Sequence, residues 1–389
     1  MPKKIVVLGG GVGGVVAAKR LAERLRGRVD VEITLISDTD YYLLPPLLVN
    51  IALGDISPQQ ATLPLSRFAY RNVKVVKATV KKVDPDNRAV ETDQGKFQYD
   101  YLIASLGTEF DFSSYNLAAG NHNYTIDGAL KMREALINFR GGSVVIYTPE
   151  PVYRCGVYPY EIAGQLDAIF RKRGIRDKVD ITLIHPLPKP LQMLGPEAVK
   201  IVEELYAAQG IKYVGGITQP GPVDDKAKTV TVGSEKFKYD LLIVVPPARL
   251  PKPFHDTPLV SKFPNGVWTA INVMTGRSVK YDDVYLPGEH SMPAIGLPVA
   301  GVPVHFTAMA SANMVAGELL GEPVDPAQIN SMVCAMDMGN FGTVFICDVK
   351  IDLANNKAAW MGNCYNILKS PVGKLIKDLF YKTWLATTI

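Results

Sequence analysis

The stretch Lys4–Leu21, KIVVLGGGVGGVVAAKRL, carries the information from which the rest of the chain can be read. Ile5–Leu8 is a continuous apolar run, the pattern of a strand covered on both faces. A glycine-rich turn follows, and then apolar residues at helical spacing predict a helix to about Arg26 and a second strand over Val31–Ile36. In such a βαβ unit each glycine of GxGxxG has a mechanical reason. Gly9 permits a tight turn, Gly11 lets the backbone approach a pyrophosphate, and Gly14 lets the helix pack on the strand, with the helix N-terminus facing the phosphates. Ser37 and Asp38 come directly after the second strand, where an acceptor for ribose hydroxyls belongs. The unit predicts dinucleotide binding and leaves FAD and NAD undecided.

Lys77–Phe110 reads as strand, turn at Asp84-Pro85-Asp86, strand, and a polar lead-in to the apolar strand Tyr101–Ser105, which exits through Leu106-Gly107. Val230–Lys252 repeats the layout: polar lead-in, Tyr-Asp, apolar strand, proline-rich exit. Two related Rossmann-like units are therefore expected in an α/β chain. In the second unit, the strand Ser143–Tyr147, a helix from about Tyr160 to Arg173 and the strand Asp180–Ile184 are predicted. Between the first strand and the helix lies PEPVYRCGVYPYEIAG, with Cys155 and no glycine fingerprint. Prolines and aromatic residues there stop a backbone from closing on a pyrophosphate, which disfavours NADH as the electron donor.

Composition narrows the classes. The chain has 389 residues, 47% hydrophobic and 21% charged, enough for two or three domains. A net charge of +4 and the absence of nucleic-acid-binding motifs exclude nucleic acid as the expected partner. No run of about 18 apolar residues offers a spanning helix. The N-terminus is interrupted by glycines and followed by Lys19 and Arg20, so no signal peptide is expected. Cys155, Cys334, Cys347 and Cys364 are too far apart for a zinc site, and buried free thiol is the default reading for each. His122, His185, His255, His290 and His305 form no metal-spaced pair, and no metal is expected.

VVLGGGVGGVVAAKRL, ITLISDTDYYLLPPLL, RCGVYPYEIA and SMVCAMDMGNFGTVFI together resemble the sulfide:quinone oxidoreductase family, whose relatives include flavocytochrome c sulfide dehydrogenase and type II NADH dehydrogenase. The resemblance spans essentially the whole chain. It implies FAD, with Pro46 near the isoalloxazine and Ser105, Gly107, Ala78 and Val80 among the cofactor contacts. It implies Cys155 and Cys334 as a redox pair that alternates among thiol, disulfide and persulfide. Glu161, six residues after Cys155, becomes a proton acceptor by resemblance, although a capping charge at a helix start is the plainer reading. Gly288-Glu289 stands where the family holds the ribityl and pyrophosphate region, and His305 is the histidine expected nearest the flavin. Gln192 and Val304 replace a histidine and a lysine usual in the family. Neither cysteine used for flavin tethering in relatives is present, so FAD is expected to be non-covalent. Cys347 and Cys364 remain inert thiols on this reading.

The C-terminal SPVGKLIKDLFYKTWLATTI opens with Ser370-Pro371, an N-cap and first-turn pair. Val372, Leu375, Ile376, Leu379, Phe380 and Trp384 fall on one helical face, with Lys374, Lys377, Asp378, Tyr381 and Lys382 elsewhere. Such a helix can dock on its own domain or lie in a membrane interface. The resemblance favours the second, with Phe380 and Trp384 bordering the approach of a quinone. The expected organisation is an FAD-binding domain over 1–112 and 255–318, a second Rossmann-like domain over 113–254, and a C-terminal membrane-interface region over 319–389. The expected activity is sulfide oxidation to polysulfide or sulfur with membrane quinone as acceptor, by a peripheral protein on a lipid bilayer surface. Homo-oligomerisation is compatible with this. The alternatives are a flavocytochrome-type sulfide dehydrogenase, a flavin and disulfide redox sensor without turnover, and a type II NADH dehydrogenase.

Overall fold

A computed structural model describes the chain except Asp325, Ala327, Gln328, Asn363 and Ile389. Its first sheet is parallel and five-stranded, in the order Val284–Tyr285, Tyr101–Ala104, Lys3–Leu8, Val31–Ser37, Val73–Lys77. The helix Val12–Arg24 crosses between the first two strands of the chain. A second parallel sheet orders Ile211–Val214, Val179–Ile184, Gly142–Tyr147, Leu241–Val244. Helix Tyr158–Lys172 follows its strand Gly142–Tyr147. Strands covered on both faces need apolar residues throughout, and Ile5, Val7, Leu8, Leu35, Leu102 and Ile103 are all fully buried.

The repeated Tyr-Asp has a physical role in each unit. Asp100 accepts a hydrogen bond from Lys4 N at 2.8 Å, and Asp240 accepts one from Ser143 N at 2.8 Å. Each carboxylate thus satisfies a backbone N–H at the start of the central strand of its sheet. Each unit also carries a three-stranded antiparallel meander just before that Asp.

The C-terminal part is an antiparallel sheet of Ser331–Asp337, Gly342–Asp348 and Cys364–Ser370, leading into the helix Pro371–Thr388. Ser370 Oγ accepts from Val372 N at 3.2 Å at the helix start. The helix comes so close to the sheet that a Cβ on Gly342 would stand 2.2 Å from the Gly373 carbonyl carbon. Among the described residues no helix is long and apolar enough to cross a membrane.

Two sequence expectations fail here. Cys347 and Cys364 are not free thiols: they face each other across neighbouring strands and form a disulfide. Pairing of strands seventeen positions apart is a matter of register, which spacing alone does not reveal. The terminal helix also sits differently on its support. Gly373, Lys377, Tyr381 and Trp384 turn inward, whereas Val372, Leu375, Ile376, Leu379 and Phe380 are 40 to 56% exposed. Trp384 therefore leaves the apolar stripe, and Lys377, expected on the solvated side, is buried.

Candidate functional site

A single cleft of about 670 Å³ runs from the glycine turn to the terminal helix. Gly9 needs its positive φ of 98°, and a Cβ there would meet Ser105 O at 2.1 Å. A Cβ on Gly14 would meet Gly9 O at 1.9 Å, so Gly14 lets the helix lie on the turn and does not itself line the cleft. At Gly11 an added Cβ would meet nothing within 4 Å, so the backbone there opens onto free space at a helix N-terminus. Ser37, Asp38, Pro46, Ala78, Val80, Ser105 and Gly107 continue the wall, and a cradle of this shape fits a dinucleotide laid along the strand ends.

Two thiols stand in the wall of the same cleft. Cys155 and Cys334 are free thiols, contributed by different parts of the chain, and both line it. Cys155 is accessible from the cleft while protein surrounds it on the other sides. That burial raises its thiol, with the Lys377 ammonium acting against the rise. Burial also pushes the Cys334 thiol well up, and a charge on Cys155 pushes it further. Cys155 has a φ of 65°, a left-handed conformation that a side-chain-bearing residue holds only when its surroundings impose it. Its N–H donates to Val299 O at 2.8 Å, and its carbonyl accepts from Tyr158 N at 2.9 Å. Behind the loop, Tyr153 Oη donates to Gly156 O at 3.0 Å and lies 2.8 Å from His185 Nε2. His185 Nδ1 accepts from Leu187 N at 3.0 Å, which places the ring proton on Nε2.

Glu161 is 4% exposed, and its carboxylate pairs with Lys377 Nζ from the terminal helix and accepts from Gln165 Nε2 at 3.1 Å. Burial lowers the Lys377 ammonium to about 8, with a thiolate at Cys155 working in the opposite direction. Phe380, Tyr381 and Trp384 line the same end of the cleft.

Of three further expected cofactor contacts, Gly288 and His305 lie off the cleft wall and Glu289 lies on it. Gly288 does not line the cleft; its α-carbon faces His290, whose Nε2 would lie 2.3 Å from a Cβ there. Glu289 does reach the cleft, but its carboxylate is held by Arg154 at 2.7 and 2.5 Å and by Thr108 Oγ1 at 3.0 Å. A carboxylate held this way ties the first unit to the Cys155 loop while it faces the cleft. His305 also lies outside the wall: it meets Trp384 edge-on at 5.6 Å, one layer behind the cleft. Arg154, Tyr153, His185 and Lys377 are functional candidates that sequence reading passed over. Only Arg154 and Tyr153 had a signal, their position beside Cys155.

Residues 3–246 match the family described as pyridine nucleotide-disulphide oxidoreductase. A two-unit α/β flavoprotein with a cysteine beside its dinucleotide cleft is the class that fold and site define, and the chain belongs to this family. It is 26% identical to the sulfide-quinone reductase of Aquifex aeolicus (strain VF5), over 96% of this chain and 90% of that one. It is 28% identical to the mitochondrial sulfide:quinone oxidoreductase of Dictyostelium discoideum, over 79% of this chain and 68% of that one. The X-ray structure of the Aquifex aeolicus sulfide:quinone oxidoreductase superposes with a TM-score of 0.86 at 23% identity, covering 99% of this chain and 91% of that chain. FAD is the cofactor of this class, and the glycine turn, Ser37, Asp38 and the Ser105–Gly107 exit are the residues that would hold it.

Proposed function

We propose that the protein is a sulfide:quinone oxidoreductase. One observation carries the reading: Cys155 and Cys334 open onto the same cleft as the Gly9–Gly11 turn, while the second unit has a cysteine loop where a second dinucleotide turn would be. Bound FAD supplies an acceptor for an electron pair from sulfur and a donor of that pair to quinone. The chain supplies the rest. Cys155 and Cys334 bind and carry sulfur, the Lys377 ammonium favours a thiolate at Cys155, and Glu161 with Lys377 forms a buried proton-holding pair at the end where Phe380 and Trp384 admit a quinone ring. The inward Lys377 and outward apolar stripe support a terminal helix lying on a bilayer surface, with the exposed Lys382 toward anionic headgroups while Lys374 pairs with Asp337 at 3.2 Å.

Anaerobic absorbance of the purified holoenzyme tests this. Sulfide alone should bleach the flavin, added quinone should restore it, and NADH should leave it unchanged. Bleaching by NADH but not by sulfide would overturn the assignment.

A further inference from the structure

The Cys155 loop is fastened by hydrogen bonds at three points, and one of them depends on a side chain. Cys155 N–H donates to Val299 O at 2.8 Å and Cys155 O accepts from Tyr158 N at 2.9 Å, both between peptide groups. The third point is Gly156 O, which accepts from Tyr153 Oη at 3.0 Å. Gly156 is the loosest residue of the loop, because a Cβ there would meet only Met193 Cε at 3.9 Å and its neighbours leave the turn room to swing. Tyr153 can anchor it only while its own hydroxyl is held. His185 Nε2–H donates to that hydroxyl at 2.8 Å, and His185 Nδ1 accepts from Leu187 N at 3.0 Å. His185 follows the strand Val179–Ile184 directly, and its backbone N–H donates to Val214 O at the end of the neighbouring strand, at 2.9 Å. The ring is fully buried, with Tyr160 and Tyr213 at 5.0 and 6.3 Å between ring centres. Burial pushes the imidazole down to about 3, so it stays neutral through the neutral range, with one donor and one acceptor.

We propose, resting on the sulfide-oxidising reading above, that His185 and Tyr153 are positioning residues for Cys155. The chain from His185 Nε2–H to Tyr153 Oη–H to Gly156 O carries the rigidity of the second sheet into the cysteine loop and keeps Cys155 in its left-handed conformation, with Sγ directed at the groups that favour a thiolate. A φ of 65° is one that a cysteine leaves when its surroundings release it. Burial raises the Cys155 thiol, and the Lys377 ammonium, the N–H groups of Tyr158 and Val157 and the Arg154 guanidinium oppose that rise. Cys334, Tyr124, Tyr158 and Tyr381 are the other titratable groups coupled to it. The opposing groups come from the terminal helix, the start of the helix Tyr158–Lys172 and the loop itself, so their combined effect depends on where Sγ points. A loop released at Gly156 loses part of that help, and its thiol rises further.

The test uses the FAD-loaded protein, reduced anaerobically with dithiothreitol and then freed of it, and follows iodoacetamide labelling of Cys155 against pH by peptide mass spectrometry. Tyr153→Phe removes the hydroxyl and keeps the buried ring. His185→Leu removes the donor behind it, whereas His185→Gln keeps one N–H for Tyr153 and one acceptor for Leu187 N. Tyr153→Phe and His185→Leu should each move the labelling midpoint up by about one pH unit, a roughly tenfold smaller thiolate fraction at neutral pH, and should slow flavin bleaching by sulfide to a similar degree. His185→Gln should recover most of the shift. A support that is structural and nothing more would lower the melting temperature and flavin content without moving the midpoint. An unmoved midpoint in Tyr153→Phe, or a glutamine no better than leucine at position 185, overturns the proposal. Tyr153→Phe carries the test by itself where His185→Leu folds poorly. Labelling needs no sulfide, so an unmoved midpoint with normal bleaching removes the proposal alone, and a wild type that sulfide does not bleach removes the reading and the proposal together.

Discussion

Replacing Lys377 by methionine keeps the length of the side chain and removes its charge, leaving the Glu161 carboxylate buried with Gln165 Nε2 as its remaining side-chain partner. Both members of the pair are 4% exposed, so water cannot stand in for the lost ammonium. Breaking a buried pair from one side costs about 3–5 kcal/mol. At about 2–4 °C per kcal/mol, the scale for domains of roughly 150–250 residues, the melting temperature should fall by roughly 6–20 °C. The double variant Lys377→Met, Glu161→Gln removes both charges and should recover most of that loss, because an uncharged pair has no desolvation penalty to offset. Differential scanning calorimetry on the three proteins with FAD bound gives the comparison. Lys377 also faces Cys155, so Lys377→Met should slow flavin bleaching by sulfide at neutral pH and regain rate as pH rises, since the thiol then lacks the charge that opposes its upward shift. A single variant that melts within about 1 °C of wild type, far inside the expected span, would refute the pairing.

Lys377 should also leave a mark on stability against pH. Its folded value of about 8 lies below the ordinary 10.5, so between those values the unfolded chain binds a proton that the folded chain does not, and stability rises with pH there; that rise should be flatter in Lys377→Met melts. Acid precipitation should release FAD into the supernatant, and flavin mass remaining on the polypeptide would contradict non-covalent binding. Cys155→Ser and Cys334→Ser should each abolish sulfide-dependent quinone reduction with flavin content near wild type, and turnover in either would sink the relay. Truncation before Ser370 should lower liposome co-sedimentation by removing the exposed stripe, and should also slow sulfide bleaching because Lys377 leaves with the helix; unchanged co-sedimentation would remove the membrane assignment.

The parts of the molecule that the sequence by itself determined are those set by residues close together in the chain. The run Ile5–Leu8 with Gly9, Gly11 and Gly14 specifies a strand, a turn and a helix, because steric freedom and periodicity act over a few positions. The repeated Tyr-Asp and the cysteine loop were legible for the same reason. Tertiary structure decided what depends on partners far along the chain. Glu161 and Lys377 are 216 positions apart, and Arg154 and Glu289 are 135 apart, so neither ion pair leaves a local pattern. The Cys347–Cys364 bond required the register of two strands, and the register required the whole C-terminal sheet. The terminal helix shows the limit most clearly. Its apolar stripe was evident from spacing, but which face turned inward was set by the close approach of Gly373 to Gly342 and by a buried carboxylate awaiting Lys377. An amphipathic pattern records that two faces differ; what each face meets is decided by the surface on which the helix lands.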